Sequence, residues 1–106
     1  MFADVSFPIS SFQVFSYKIP DQLVNSIFVG STVNAPLGKR IVSGIIVNCY
    51  SKKKFNGKIK EIKSLVDGKP VLDDNLWKLI SWLSAYYNTP IGLAAKAVSP
   101  SQLSTN

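Results

Sequence analysis

The segment Ala85–Gly92 constrains the fold most, because it fixes where a helix must end. Apolar side chains precede and enter it at positions 76, 79, 80, 83, 86 and 87, which is the spacing of an amphipathic helix. Pro90 disfavours helical geometry in the residue before it, so the helix should stop near Asn88. Gly92 can then adopt a positive φ in the chain reversal. The pattern predicts a helix over about 74–88.

Four aromatic residues belong to this region, namely Trp77, Trp82, Tyr86 and Tyr87. Their helical spacing favours core packing over base stacking, so we expect them to form the buried joint between the helix and the rest of the domain. A second short helical turn is predicted over 91–98. The polar residues 99–106 are expected to be a tail or the start of a linker, as in a fragment of a longer protein.

The first two thirds of the chain predict β-structure. Extended runs are expected over about 2–7, 12–19, 32–35, 41–50 and 59–65. The segment 36–39 predicts a tight turn. Gly44, inside the strongest run, suggests a bulge or sharp bend that curls a small sheet. The predicted fold is therefore α+β: a small β-barrel-like sheet of OB or SH3 type over 2–65, followed by a C-terminal amphipathic helix, in one domain over 1–98.

The charge pattern is the first indication of a ligand. Twelve basic residues against six acidic ones give a net charge of +6. Nine of the twelve lie between positions 39 and 69: Lys39, Arg40, Lys52, Lys53, Lys54, Lys58, Lys60, Lys63 and Lys69. Such a cluster is typical of a polyanion-binding surface, although a solvated lysine face that keeps the domain soluble has the same composition.

Several classes of function are disfavoured. The chain has no histidine and a single cysteine, Cys49, so imidazole acid–base chemistry, the usual zinc sites and an intramolecular disulfide are excluded. It contains no P-loop motif. No apolar run is long enough to span a membrane, and no signal peptide is visible. These residues are thus expected to be neither an enzyme nor a cofactor site, and to act in the cytoplasm.

Five motifs occur in order: Phe15-Ser16-Tyr17, the segment 30–40, the segment 44–47, Lys60 with Asp67-x-x-Pro70-Val71, and Trp77…Trp82…Tyr86-Tyr87-x-x-Pro90-Ile91-Gly92. With this order and spacing, the chain from about Ala3 to Pro100 resembles the N-terminal DNA-binding domain of the bacterial replication-restart helicase PriA, also called primosomal protein N′. The resemblance implies a barrel-like module that captures the 3′-terminal nucleotide of the nascent leading strand at a stalled replication fork.

The resemblance also implies roles for single residues. Phe15 would pack on the terminal nucleotide, the backbone at Gly38 would approach it closely, and Lys60 would meet the phosphate. The family usually has an acidic residue where this chain has Ser16, and a hydroxyl lacks the charge-assisted bond of a carboxylate. DNA binding is therefore implied more directly than selectivity for a free 3′ end. The predicted DNA-binding residues are Phe15, Ser16, Tyr17, Gly38, Lys39, Arg40 and Lys60.

For the full-length family, the resemblance implies ATP- and Mg-dependent 3′→5′ unwinding and a zinc-binding region, none of which is visible in these residues. It also implies other primosome proteins and single-stranded-DNA-binding protein as partners, and forked DNA in the bacterial cytoplasm, near the nucleoid, as the place of action.

The residues taken alone leave other interpretations open. Phe15 is by default a core aromatic, Gly38 a turn glycine and Lys60 a solvated strand lysine. A general single-stranded DNA- or RNA-binding barrel without end selectivity, or a ribosome-associated barrel, would share the basic face and the aromatics. A protein-interaction domain whose lysines only aid solubility is a third interpretation.

Overall fold

The structure, a computed structural model, describes residues 1–10, 12–51, 59–66 and 74–98. Within these ranges five strands and two helices confirm the α+β prediction. The elements are β1 (Phe2–Ser6), β2 (Phe15–Lys18), β3 (Thr32–Leu37), β4 (Arg40–Tyr50), β5 (Ser64–Leu65), α1 (Asp74–Tyr86) and α2 (Ile91–Val98), with a short 3₁₀ helix over Asp21–Leu23. No helix in this described part is long and apolar enough to cross a membrane.

The strands form one antiparallel sheet in the order β2-β1-β4-β3-β5. Residues 59–66, which include β5, bond to β2 at one edge of this sheet and to β3 near the other. The Lys18 amide of β2 donates to the Lys60 carbonyl at 3.0 Å, and the Lys63 amide donates to the Asn34 carbonyl of β3 at 2.8 Å. The sheet therefore curls into a barrel-like form, although the two edges are not joined by a continuous ladder.

Residues 59–66 pass from β2 to β3, and this explains why the last predicted strand is longer than the observed one. Only Ser64–Leu65 pairs as a strand, whereas the prediction covered about 59–65. The preceding residues contact β2 through a single parallel bridge between Lys18 and Glu61. A segment that passes from β2 to β3 within a few residues has room for only a short ladder, and this ladder is the two-residue pairing of β5 with β3.

The core lies on both sides of β4. Ile46 belongs to the barrel interior, together with fully buried residues of β1 and β3 such as Val5 and Val33. Its neighbour Ile45 faces the helices and packs with Ile80 of α1 and with Ala94 and Ala95 of α2. Successive side chains of a strand point to opposite faces, so one strand serves the barrel and the helical layer at once.

The predicted bulge at Gly44 is wrong. Gly44 pairs regularly with Val33, and the register slips instead at Val47, because Asp4 pairs with Asn48 while Val5 pairs with Ile46. A Cβ at Gly44 would lie 2.6 Å from a methyl group of Val5. The glycine therefore provides room for a neighbouring side chain, which is the other common reason for a glycine within a strand.

The predicted aromatic joint is also largely wrong. Trp77 is half-buried against the Ile45 and Ile80 cluster, but Trp82, Tyr86 and Tyr87 are 56%, 67% and 65% exposed. The close approach to the sheet is made by α2, whose Gly92 amide donates to the Ser6 hydroxyl at 2.8 Å. The small residues Ala94 and Ala95 of α2 pack next to the sheet at Ile45. The three aromatic residues of the α1 region therefore stay exposed.

A residue with a left-handed backbone conformation ends helix α1, and this residue is Asn88 rather than Gly92. Asn88 has a φ of 52°, whereas Gly92 lies within α2. The Thr89 amide donates to the Ser84 carbonyl at 2.9 Å, and the Asn88 amide to the Ala85 carbonyl at 3.4 Å. These two bonds are those of a Schellman motif, which satisfies the last carbonyls of a helix.

Several predictions fall on residues outside the described ranges. They concern the lysine run 52–54, Lys58, Lys69, the Asp67-x-x-Pro70-Val71 motif and the polar segment 99–106. The assignment of 1–98 to one domain stays a prediction.

Candidate nucleic-acid interface

A pocket of about 470 Å³ opens between strand β2 and the tip of the β3–β4 hairpin. The segment 59–66, which bonds to β2 and β3, completes its wall. The lining residues are Phe15, Ser16, Tyr17, Pro36, Leu37, Gly38, Ile59 and Lys60. We call this cavity the hairpin pocket.

Five of the seven residues predicted to bind DNA line the hairpin pocket. They come from three stretches of the chain that are distant in sequence. The other two, Lys39 and Arg40, are exposed at the hairpin turn and the start of β4, and are not among the described lining residues. The prediction missed Pro36, Leu37 and Ile59, whose only signal is that they lie within two residues of a predicted site residue in sequence.

Phe15 is both a packing residue and a pocket wall. It is half-buried, and its ring meets Phe7 edge to face, with centroids 5.7 Å apart. Phe7 is almost fully buried, so this contact fixes the orientation of the Phe15 ring. A fixed, partly exposed aromatic surface is suited to stacking on a nucleobase, a contact worth about 1–3 kcal/mol for any base.

Tyr17 connects the two sides of the hairpin pocket. Its hydroxyl donates to the Pro36 carbonyl at 2.6 Å, and its ring is buried against Phe7. Burial raises the pKa of Tyr17 to about 12. The hydroxyl therefore keeps its proton, and the bond between β2 and the hairpin persists, over the whole neutral range.

Gly38 and Lys60 form the rim. Gly38 has a φ of +63° at the first position of the two-residue hairpin loop, a conformation that favours glycine. The exposed Lys60 ammonium lies 3.4 Å from the Gly38 carbonyl oxygen. An ammonium group has three hydrogens, so this single long contact leaves Lys60 able to bind a phosphate at the rim.

Ser16 is linked to a carboxylate behind the pocket wall. The register pairs Ser16 of β2 with Asp4 of β1, and the Ser16 hydroxyl donates to Asp4 Oδ1 at 2.7 Å. The Tyr50 hydroxyl donates to the same oxygen at 3.2 Å. Burial, and then the negative charge of Asp4, raise the pKa of the nearby Cys49 thiol. Asp4 is not among the residues predicted to form the site.

The comparisons with known proteins agree on one family. A model of the family described as 3′ DNA-binding domain (3′BD), from PriA, matches residues 4–100. The chain is 38% identical over 87 residues to the replication restart protein PriA of Bacillus subtilis (strain 168). The aligned residues cover 78% of this chain and 11% of that protein. It is 30% identical over 89 residues to PriA of Buchnera aphidicola subsp. Acyrthosiphon pisum, covering 83% of the chain and 12% of the relative.

A third relative extends the match over more of the chain. PriA of Chlamydia trachomatis serovar D is 29% identical over 105 residues, which is 94% of this chain and 14% of that protein. The chain thus spans between about a ninth and a seventh of the length of these curated relatives.

Proposed function

The chain belongs to the 3′ DNA-binding domain (3′BD) family of the replication restart protein PriA, and from this premise we propose that it holds the 3′ end of a DNA strand in the hairpin pocket. The strand would be the nascent leading strand at a stalled replication fork. DNA binding is the property of the family, and the selectivity for a 3′ end is the proposal.

The observation that carries the proposal is the convergence of three kinds of group in one pocket. Phe15 offers an aromatic surface, Gly38 an uncrowded hairpin backbone and Lys60 a cation. A site that accepts the end of any sequence must ignore base identity, so stacking together with phosphate contact is the chemistry it needs. The volume lies in the range of pockets that hold small ligands, which suits a single terminal nucleotide.

The wider role is also a proposal, since the chain spans a small part of its relatives. We infer that it orients a DNA-unwinding motor on a fork in the bacterial cytoplasm, together with other primosome proteins and single-stranded-DNA-binding protein. The segment itself would bind DNA without catalysis and without a cofactor, while ATP, magnesium and zinc would serve the remainder of a longer protein.

A second candidate is general single-stranded DNA or RNA binding without end selectivity. The observation that favours it is the exposure of Lys39 and Arg40 outside the hairpin pocket, where they could follow a continuous phosphate backbone. The two candidates differ in whether an internal stretch binds as well as a free end.

Fluorescence anisotropy separates the two candidates. The ligands are a labelled DNA oligonucleotide with a 3′-hydroxyl, the same strand with a 3′-phosphate, and one whose 3′ end is blocked by a hairpin. Phe15→Leu keeps an apolar contact to Phe7 but removes the stacking ring, and Lys60→Gln removes the rim cation. We expect the 3′-hydroxyl strand to bind best, and each variant to lose about tenfold in affinity for it.

Lys96→Gln is the matched control for Lys60→Gln, because Lys96 is also exposed but lies on α2, outside the described pocket lining. It should change the affinity less than twofold. Equal binding of all three ligands by the unmodified chain would overturn end capture. A preference for an RNA strand of the same sequence would favour the second candidate.

A further inference from the structure

We propose that helix α1 carries a second binding site, which takes an unpaired nucleobase of single-stranded DNA together with its phosphate. The site consists of Lys78, Trp82 and Tyr86, which we call the α1 stripe. These residues are not among the described lining residues of the hairpin pocket. The inference goes beyond the proposed function, because the α1 stripe needs no strand end.

The α1 stripe occupies the solvent side of the helix. Its three residues follow one another at intervals of four, so they lie on one helical face, one turn apart. All three are exposed, Trp82 by 56% and Tyr86 by 67%. Ile80, two residues from both Lys78 and Trp82, packs on Ile45 of the sheet from the opposite side of the helix.

The two aromatic rings of the α1 stripe form a stack with one open end. The ring centroids of Trp82 and Tyr86 are 4.9 Å apart, with planes at 19°, and Tyr87 meets Tyr86 edge to face. Since Tyr86 lies one turn after Trp82 and Lys78 one turn before it, the open face of the indole is on the side of Lys78. A nucleobase can continue this stack, and such a contact does not depend on base identity.

The exposure of these rings needs a reason. Trp77 of the same helix is half-buried against the Ile45 and Ile80 cluster, which is the usual place for a helical aromatic residue. Trp82 and Tyr86 form a contiguous exposed surface instead, and such a surface is typical of a binding site. It lies on the helical side of β4, whereas Phe15 of the hairpin pocket packs against the barrel interior.

The charge of the helical region favours an anionic ligand. Asp74, at the start of α1, is the last acidic residue of the chain, and the only charged side chains after it are Lys78 and Lys96. An exposed ammonium one turn from the stacking face is placed to bind the phosphate of the stacked nucleotide. A stacking surface combined with a cation is the chemistry of single-strand binding, so the α1 stripe fits DNA better than an apolar protein segment.

Tryptophan fluorescence tests the α1 stripe directly, because the chain contains only Trp77 and Trp82. Trp77→Phe leaves the exposed indole as the single reporter, and Trp82→Phe leaves the half-buried one. The ligand is a closed circle of about 16 thymidines, which has no 3′ end for the hairpin pocket. A matched circle of abasic residues keeps the phosphates but lacks the bases. We expect the thymidine circle to quench Trp82, the abasic circle to leave it unchanged, and neither circle to affect Trp77.

Affinity for the thymidine circle, measured by competition with a fluorescently labelled circle, gives a second readout. Trp82→Leu removes the stacking ring and should weaken binding about tenfold. Phe28→Leu is the matched control and should change the affinity less than twofold, because Phe28 is also 56% exposed but lies between the 3₁₀ helix and β3. Lys78→Gln should make the slope of log K against log salt concentration shallower by about 0.7, whereas Lys96→Gln should leave it unchanged.

Phe15→Leu separates this proposal from end capture, since it changes the hairpin pocket and should bind the thymidine circle as tightly as the unmodified chain. If the thymidine circle leaves Trp82 unquenched, or if both circles quench it alike, the α1 stripe is overturned and 3′-end capture stands. If Trp82→Leu alters the sedimentation coefficient but not the affinity for DNA, the stripe is a contact between copies of the chain, and the proposal is overturned. Equal binding of the linear strands described above, with Trp82 still quenched by the thymidine circle, would overturn end capture alone.

Discussion

Gly38 and Gly92 are constrained by opposite requirements. At Gly38 the backbone has a φ of +63°, and no described atom lies within 4 Å of the position that a Cβ would take. Gly92 lies in helix α2, and there a Cβ would overlap the carbonyl group of Phe7. The first glycine thus provides a backbone conformation, and the second provides space at the contact between α2 and the end of β1.

This difference predicts unequal costs for the same substitution. Gly38→Ala should lower the free energy of unfolding by about 1 kcal/mol, the usual cost of a left-handed conformation for an L-residue. Gly92→Ala should lower it by about 2–3 kcal/mol, because the clash with backbone atoms outweighs the gain in helix propensity of about 1 kcal/mol. Urea denaturation with matched m-values measures both. A Gly92→Ala variant as stable as the parent would contradict the packing of α2 against Phe7.

The sequence allowed some site residues to be predicted and hid others. Phe15, Gly38 and Lys60 stand in recognisable motifs, and all three line the hairpin pocket. The contact between Asp4 and Ser16 follows from the pairing of β1 with β2. A shift of one residue would put Asp4 on the other face of the sheet, so no local pattern could reveal the contact.

At the scale of elements, the end of helix α1 depends on Asn88. Its φ of 52° positions the two amides that bond to the Ser84 and Ala85 carbonyls. Asparagine tolerates this conformation and glycine adopts it freely, whereas alanine resists it. We expect Asn88→Ala to lower the free energy of unfolding by about 1 kcal/mol and Asn88→Gly to leave it within about 0.5 kcal/mol. Thermal unfolding followed by circular dichroism compares the two, and equal losses would argue against the left-handed cap.

The α1 region also shows the limit of periodicity as a guide to burial. The spacing of its apolar residues correctly predicted a helix, and Ile80 and Trp77 do face the core. It could not show that α2 would occupy the side of the sheet where Trp82 and Tyr86 were expected. The two rings instead stack on each other in the exposed layer, with centroids 4.9 Å apart. Which side of a helix is covered depends on a neighbouring element, which the helix's own sequence does not encode.

At the scale of the whole molecule, the fold brings charge to one place. The curled sheet sets the Lys60 segment beside the β3–β4 hairpin. Lys60 therefore contacts Gly38, which Lys39 and Arg40 directly follow, although about 20 residues separate it from them in sequence. The barrel-like class was predicted from the extended runs and from the family resemblance. The geometry of the pocket was not predictable from local patterns, because it depends on the segment 59–66 bonding to both β2 and β3.

Clustered cations predict a salt-dependent affinity. Each phosphate neutralised on a single strand releases counterions and contributes about −0.7 to the slope of log K against log salt concentration. Lys60→Gln should therefore make the slope shallower by about 0.7, and Lys96→Gln, which also removes one charge from the net +6, should leave it unchanged. Titrations with the 3′-hydroxyl strand between about 50 and 200 mM NaCl measure both slopes. Equal changes in the two variants would mean that the net charge, and not the position of Lys60 at the hairpin pocket, governs the attraction of DNA.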